Sequence, residues 1–205
     1  MICVDRSDDG VWTVTLDRPD KANALTEEML RDLVTQMQSA RKARAVILTG
    51  RGAVFSAGAD LDAAKAGLAV SPLWEELSAA IAALQGFSVA ALNGTLAGGA
   101  FGMALACDVR ISVPSAKFFY PVMKLGFMPQ PSDPGRLAAL VGPARAKFIL
   151  MGSQKITANE AMSMGLIERI VEPDELMDTA RELVDASVNA PENVARGIKD
   201  LCRAT

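Results

Sequence analysis

Twice in this 205-residue chain a short, largely apolar strand run leads into small residues and then into a helix-forming segment, and this arrangement limits the fold more than any other feature. Residues 45–48 precede Phe55-Ser56-Ala57-Gly58-Ala59-Asp60-Leu61. Residues 88–92 precede Asn93-Gly94-Thr95-Leu96-Ala97-Gly98-Gly99-Ala100-Phe101-Gly102. Unbroken apolar strands suit a sheet covered on both faces. The small residues that follow let two backbones approach and bring N–H groups into the open. Such a junction can hold an anion or a developing oxyanion. It can equally be a tight turn whose Ala and Gly only permit close packing, and the residues alone leave both readings open.

The rest of the chain frames these junctions. Residues 2–6 and 11–16 are β-favouring runs around Ser7-Asp8-Asp9-Gly10, which reads as a hairpin. Thr26 is positioned as an N-cap for a helix with Met29, Leu30, Leu33, Val34 and Met37 on one stripe. Ser71 and Pro72 read as N-cap and first residue of another helix, buried through Leu73, Trp74, Leu77, Ala80, Ile81 and Leu84. Residues 109–113 and 117–120 are further strands, and Thr157 with Glu160 spells a capping box. Residues 174–188 carry a stripe of Leu176, Met177, Ala180, Leu183 and Val184, and Pro191 starts a last helix. Strands alternating with helices and then giving way to helices predict an α/β fold with a helical C-terminal part.

Composition removes several kinds of chemistry. The chain has no histidine, so Ser-His-Asp and Cys-His nucleophile systems, His-ligated zinc and histidine bases are excluded within it. Carboxylates, backbone amides, Lys, Tyr, Ser and water remain. A net charge of −3 without a basic cluster argues against a nucleic-acid partner. Cys3, Cys107 and Cys202 are too scattered for a disulfide framework or a metal-spaced pair, which predicts no metal site and suits a reducing cytoplasm. The N-terminus shows no basic and then apolar targeting pattern. The most apolar stretch, residues 88–107, is interrupted by Asn93, Thr95 and four glycines, so no membrane span is expected. The glycines spell neither a P-loop, a GxGxxG nor a GxSxG elbow.

Taken in order, RPDKANALTEEM, FSAGADL, NGTLAGGAFGMALACD and ITANEAMSMGLIERIV resemble the crotonase (enoyl-CoA hydratase/isomerase) superfamily across almost the whole chain. The resemblance implies a spiral of ββα units over residues 1–145. It implies a helical trimerisation region over residues 146–205, shorter than usual for the family, and a homotrimer or dimer of trimers. It also implies an acyl-CoA thioester as ligand, with coenzyme A as part of the substrate and no permanently bound cofactor. Ala57 and Gly99 match the residues whose amides form the family's oxyanion hole. Lys21, Ala22 and Ala24 match the loop along CoA, and Gly58, Ala59, Asp60 and Leu61 the segment towards its adenine end; Asp60 reads equally as a helix N-cap.

The departures matter as much. The two positions where hydratases of this family carry water-holding glutamates are Gly102 and Val122. Efficient hydration is therefore not expected, since general acid/base groups contribute about 10²- to 10⁴-fold. Asp133 is the nominated replacement acid/base, with Ser132, Tyr120 and Lys65 behind it, each also readable as surface or packing. Phe118, Phe119, Met123, Phe127 and Met128 suit a core or an acyl pocket. Enolate chemistry on an acyl-CoA is the first functional expectation, a catalytically silent acyl-CoA binder the second, and an α/β domain unrelated to CoA the third.

Overall fold

A computed structural model of the chain describes residues 1–202. The expected hairpin is present as β1 (Ile2–Arg6) and β2 (Val11–Leu16), antiparallel with Val4 opposite Val14. Next come α1 (Glu27–Ser39), β3 (Ala45–Gly50), β4 (Val54–Ser56), α2 (Leu61–Lys65) and α3 (Leu73–Ala82). β5 (Phe87–Leu92), β6 (Thr95–Ala97), α4 (Phe101–Ala106), β7 (Val109–Ser112), β8 (Lys117–Phe119) and α5 (Val122–Leu125) continue the alternation. The C-terminal part holds α6 (Asp133–Val141), α7 (Pro143–Leu150), β9 (Ile156–Thr157), α8 (Ala158–Met164), β10 (Arg169–Ile170), α9 (Leu176–Asn189) and α10 (Glu192–Leu201).

Successive strands go to two different sheets. β1, β2, β3, β5, β7 and β10 form one in that order, and β4, β6, β8 and β9 the other. Each turn thus lays one strand in the large sheet, one in the small sheet, and then a helix. Parallel pairing of β4 with β6 follows from this winding and sets the two small-residue junctions side by side.

Local chemistry explains most boundaries. Thr26 accepts the Met29 N–H and caps α1, whose stripe of Met29, Leu30, Leu33, Val34 and Met37 is buried. Thr157 and Glu160 form the capping box of α8. α3 begins at Leu73, one residue later than expected, although the Ser71 hydroxyl still accepts the Leu73 N–H at 3.3 Å. In α9 Leu176, Ala180 and Val184 are buried, whereas Met177, placed on the same stripe from sequence, is exposed because it falls beyond the apolar arc.

One apolar cluster runs from Val11 to Val184, so α9 shares the core of the strands it covers. Arg44 latches the end of α9 by donating to the carbonyls of Ser187, Val188 and Ala190. α10 buries none of its residues and is held by Lys199, which donates to the Gly86 carbonyl and pairs with Asp108 at 2.8 Å. Among the described residues no helix is long and apolar enough to cross a membrane.

Candidate active site

Both junctions line one cavity of about 370 Å³. Ala57, Ala59, Leu61 and Lys65 come from the first junction and α2; Ala97, Gly98 and Gly99 come from the second. Phe119, Tyr120, Val122, Leu125, Phe127, Met128 and Gln130 supply a largely apolar wall, and Trp74 the floor. A larger cleft of about 610 Å³ between α9, α10 and β5 contains none of the junction residues.

The backbones of the two junctions touch through glycine. Gly58 has φ of +90° and Gly98 of +57°, both in the left-handed region. A Cβ on Gly58 would lie 2.9 Å from the Ala97 carbonyl oxygen and 3.3 Å from Gly98 Cα. No larger residue could bring the strand ends this close. Behind Gly99, the Trp74 ring would stand 3.1 Å from an added Cβ, and its indole N–H is tied to the Leu68 carbonyl at 2.8 Å.

The first junction is locked by the loop that precedes α1. Asn23, fully buried and at φ of 52°, accepts the Arg18 N–H and donates to the carbonyls of Arg51 and Val54. Ser56 donates its hydroxyl to the Asn23 carbonyl at 2.8 Å. The loop that carries Lys21, Ala22 and Ala24 is thereby joined to the 57–61 segment through Ala22 and Leu25.

One expectation changes. The Ala57 N–H donates to the Ala22 carbonyl at 3.0 Å, so this amide is committed to holding the loop and is not a free donor. Two residues on, Leu25 pairs with Ala59 in a parallel bridge, its N–H going to Gly58 O and its carbonyl accepting from Asp60 N–H. In such a bridge the residue between the two bonds turns its own N–H and C=O to the opposite side. The outward-turned amide of this junction is that of Ala59.

Asp60 has both roles of its carboxylate engaged in structure. Oδ1 accepts the N–H groups of Asp62 and Ala63 and caps α2, while Oδ2 pairs with Arg18 at 2.7 Å. The Arg18 hydrogen bond, with the capping bonds, holds its carboxyl below the usual range. Lys65, at the cavity margin, is exposed and pairs with Asp62. Ser132 is bound to Glu75 through its N–H and hydroxyl. Phe118 is core, and Met123 is exposed and outside the cavity lining, so only Phe119, Phe127 and Met128 of that set line it.

Asp133, 1 % exposed at the start of α6, lies against α4. Its Oδ2 accepts the Tyr120 hydroxyl at 2.9 Å, while Oδ1 has no hydrogen-bond partner. A Cβ on Gly102 would stand 2.9 Å from that Oδ1, so the glycine is the space into which the carboxylate fits. Burial pushes the Asp133 carboxyl up to about 6, against the opposing pull of the Tyr120 bond and Arg136. Burial raises the Tyr120 hydroxyl too. The Tyr120 ring stacks on Phe101 with centroids 5.4 Å apart. Sequence reasoning nominated Tyr120 and Asp133 separately. It had no signal for their pairing or for Trp74 and Gln130 as lining residues.

The profile of the enoyl-CoA hydratase/isomerase family matches residues 6–205. A short-chain-enoyl-CoA hydratase of Clostridium acetobutylicum is 36% identical over 191 residues, covering 88% of this chain and 73% of that protein. A carnitinyl-CoA dehydratase of Salmonella enteritidis is 36% identical over 205 residues, 95% of this chain and 77% of its own length. Among solved structures, an enoyl-CoA hydratase from Bacillus anthracis superposes with a TM-score of 0.87 at 32% identity, covering 97% of this chain and 81% of that one. An enoyl-CoA hydratase/isomerase from Pseudoalteromonas atlantica reaches a TM-score of 0.89 at 28% identity, covering 98% and 81%.

Proposed function

Because this chain belongs to the enoyl-CoA hydratase/isomerase family, we propose that it binds an acyl-CoA thioester in the 370 Å³ cavity and stabilises its enolate. The observation that carries this reading is the contact of two glycine-bearing junctions at one cavity wall. The donors are the amides of Ala59 and Gly99, with Ala59 taking the place that sequence alone assigned to Ala57. Two N–H groups aimed at one carbonyl oxygen bind the enolate better than the ground state, and losing one such donor costs about 10²- to 10³-fold in rate. CoA lies along Lys21, Ala22 and Ala24 and the Gly58–Leu61 segment, and the apolar wall of Phe119, Leu125, Phe127 and Met128 takes the acyl chain.

Water addition is not the favoured reaction. Gly102 presents no side chain and Val122 an apolar one, so neither position can orient a water. An isomerisation or another step through the enolate fits the site better. The vacated positions equally favour a second reading, a catalytically silent acyl-CoA binder. Residues 1–145 then hold the site, while the C-terminal region that begins at 146, with its helices α8, α9 and α10, is where trimers or pairs of trimers assemble, a mass that light scattering reads.

Exchange of the acyl α-proton for deuterium, followed by mass spectrometry with butyryl-CoA in D₂O, separates the two. Enolate stabilisation gives exchange that Ala59→Pro reduces by about 10²-fold, with folding checked by circular dichroism. Binding without exchange leaves the silent reading, and absence of binding removes both.

A further inference from the structure

Among the buried groups, the Tyr120–Asp133 pair is set apart by where it lies. Tyr120, only 2 % exposed, is among the residues that line the cavity, and Asp133, 1 % exposed, lies behind its hydroxyl. Buried polar atoms are normally satisfied, because an unpaired one costs about 1–3 kcal/mol. Asp133 keeps one oxygen unpaired, facing the bare Cα of Gly102. The Tyr120 hydroxyl donates to the other oxygen and accepts a long 3.4 Å bond from the Gln130 N–H. A carboxylate serving only packing would be replaced at less cost by an apolar residue.

Building on the enolate reading, we propose that Tyr120 is the group that exchanges a proton with the acyl α-carbon, with Asp133 as the positioning residue that takes and returns the tyrosine hydroxyl proton. As the α C–H bond breaks, its electron pair becomes the enolate C=C and the charge moves to the thioester oxygen. The proton goes to Tyr120 Oη while the hydroxyl proton passes along the existing hydrogen bond to Asp133 Oδ2. One proton then returns from Tyr120 to the same carbon or to a conjugated one, and the other passes back from Asp133 Oδ2 to Tyr120 Oη, which restores the pair. No co-reactant is needed.

The surroundings favour Asp133 as a tunable acceptor. Glu75 on α3 raises its proton affinity, Arg136 on α6 lowers it, and Arg136 also donates to Ser78 beside Gly102. Tyr120, its own hydroxyl raised by burial, stays protonated between steps and so depends on Asp133 being ionised. Exchange therefore rises tenfold per pH unit below about 6 and levels above it.

Deuterium exchange on butyryl-CoA, measured with CoA-thioester binding by calorimetry, tests the pair. Tyr120→Phe keeps the stack on Phe101 and Asp133→Asn is isosteric, so both should bind normally yet exchange about 10²- to 10⁴-fold more slowly. The residual exchange of Asp133→Asn should lack the inflection near pH 6. Wild-type exchange rates in Tyr120→Phe, or a surviving inflection in Asp133→Asn, overturn the relay while leaving the enolate reading intact. Wild-type protein that binds but does not exchange overturns the relay and leaves a silent binder, whereas failure to bind removes the enolate reading on which the relay rests.

Discussion

The two junctions that meet at the cavity are built by opposite means. At the first, between β4 and α2, side-chain hydrogen bonds hold the backbone: Asn23, Ser56 and the Arg18–Asp60 pair account for its shape. At the second, between β6 and α4, no side chain of the Gly98–Gly102 stretch makes a hydrogen bond, and shape comes from what presses on it: Gly58, Trp74 and Asp133. Away from Gly58, where the two junctions touch, polar scaffolding tolerates changes in volume but not in donors or acceptors. Steric scaffolding reverses that tolerance, because a close-packed wall senses a single methyl group.

Substitutions ranked by effect should expose this difference. Asn23→Ala strips three hydrogen bonds from part-buried main-chain groups of Arg18, Arg51 and Val54 and puts alanine at a left-handed φ of 52°, so urea unfolding should show a loss of about 3–5 kcal/mol. A loss under about 1 kcal/mol would mean the loop is held by something else. Gly58→Ala, at φ of +90° and 2.9 Å from a main-chain oxygen, should cost about 2–4 kcal/mol and weaken CoA-thioester binding. Gly102→Ala should cost about 1–3 kcal/mol by displacing the Asp133 carboxylate, with the loss relieved in the double variant Gly102→Ala/Asp133→Ala.

Asp133→Asn carries the opposite sign. Burial pushes the folded-state carboxyl up from an ordinary 3.8 to about 6, so the folded protein binds more protons between these values and its stability falls as pH rises through that window. Removing the buried charge should stabilise the protein by about 1–3 kcal/mol at pH 7 and flatten the slope between pH 4 and 6, read by thermal melts across pH. An unchanged slope would assign it to another group.

The N-terminal hairpin and the caps at Thr26, Asp60 and Thr157 were legible because each depends on neighbours within a few residues. The choice between Ala57 and Ala59 was not. Which amide faces outward is settled by bonds to Ala22 and Leu25, more than thirty residues upstream, and small-residue letters read the same either way. The union of Tyr120 with Asp133 was hidden for a related reason. It joins residues on either side of α5 and the loop that follows it, and it depends on the space that Gly102 of α4 leaves for the carboxylate.

Periodicity, capping chemistry and the absence of histidine determined the α/β order, the two small-residue junctions and the restriction to carboxylates, hydroxyls, lysine, water and main-chain donors. Those properties are local or compositional, so they survive without coordinates. Only the tertiary structure decided which amide turns outward, what lies behind Gly102 and which carboxylate is deprived of water. These follow from contacts between segments distant in sequence, and burial is a property of the packed whole.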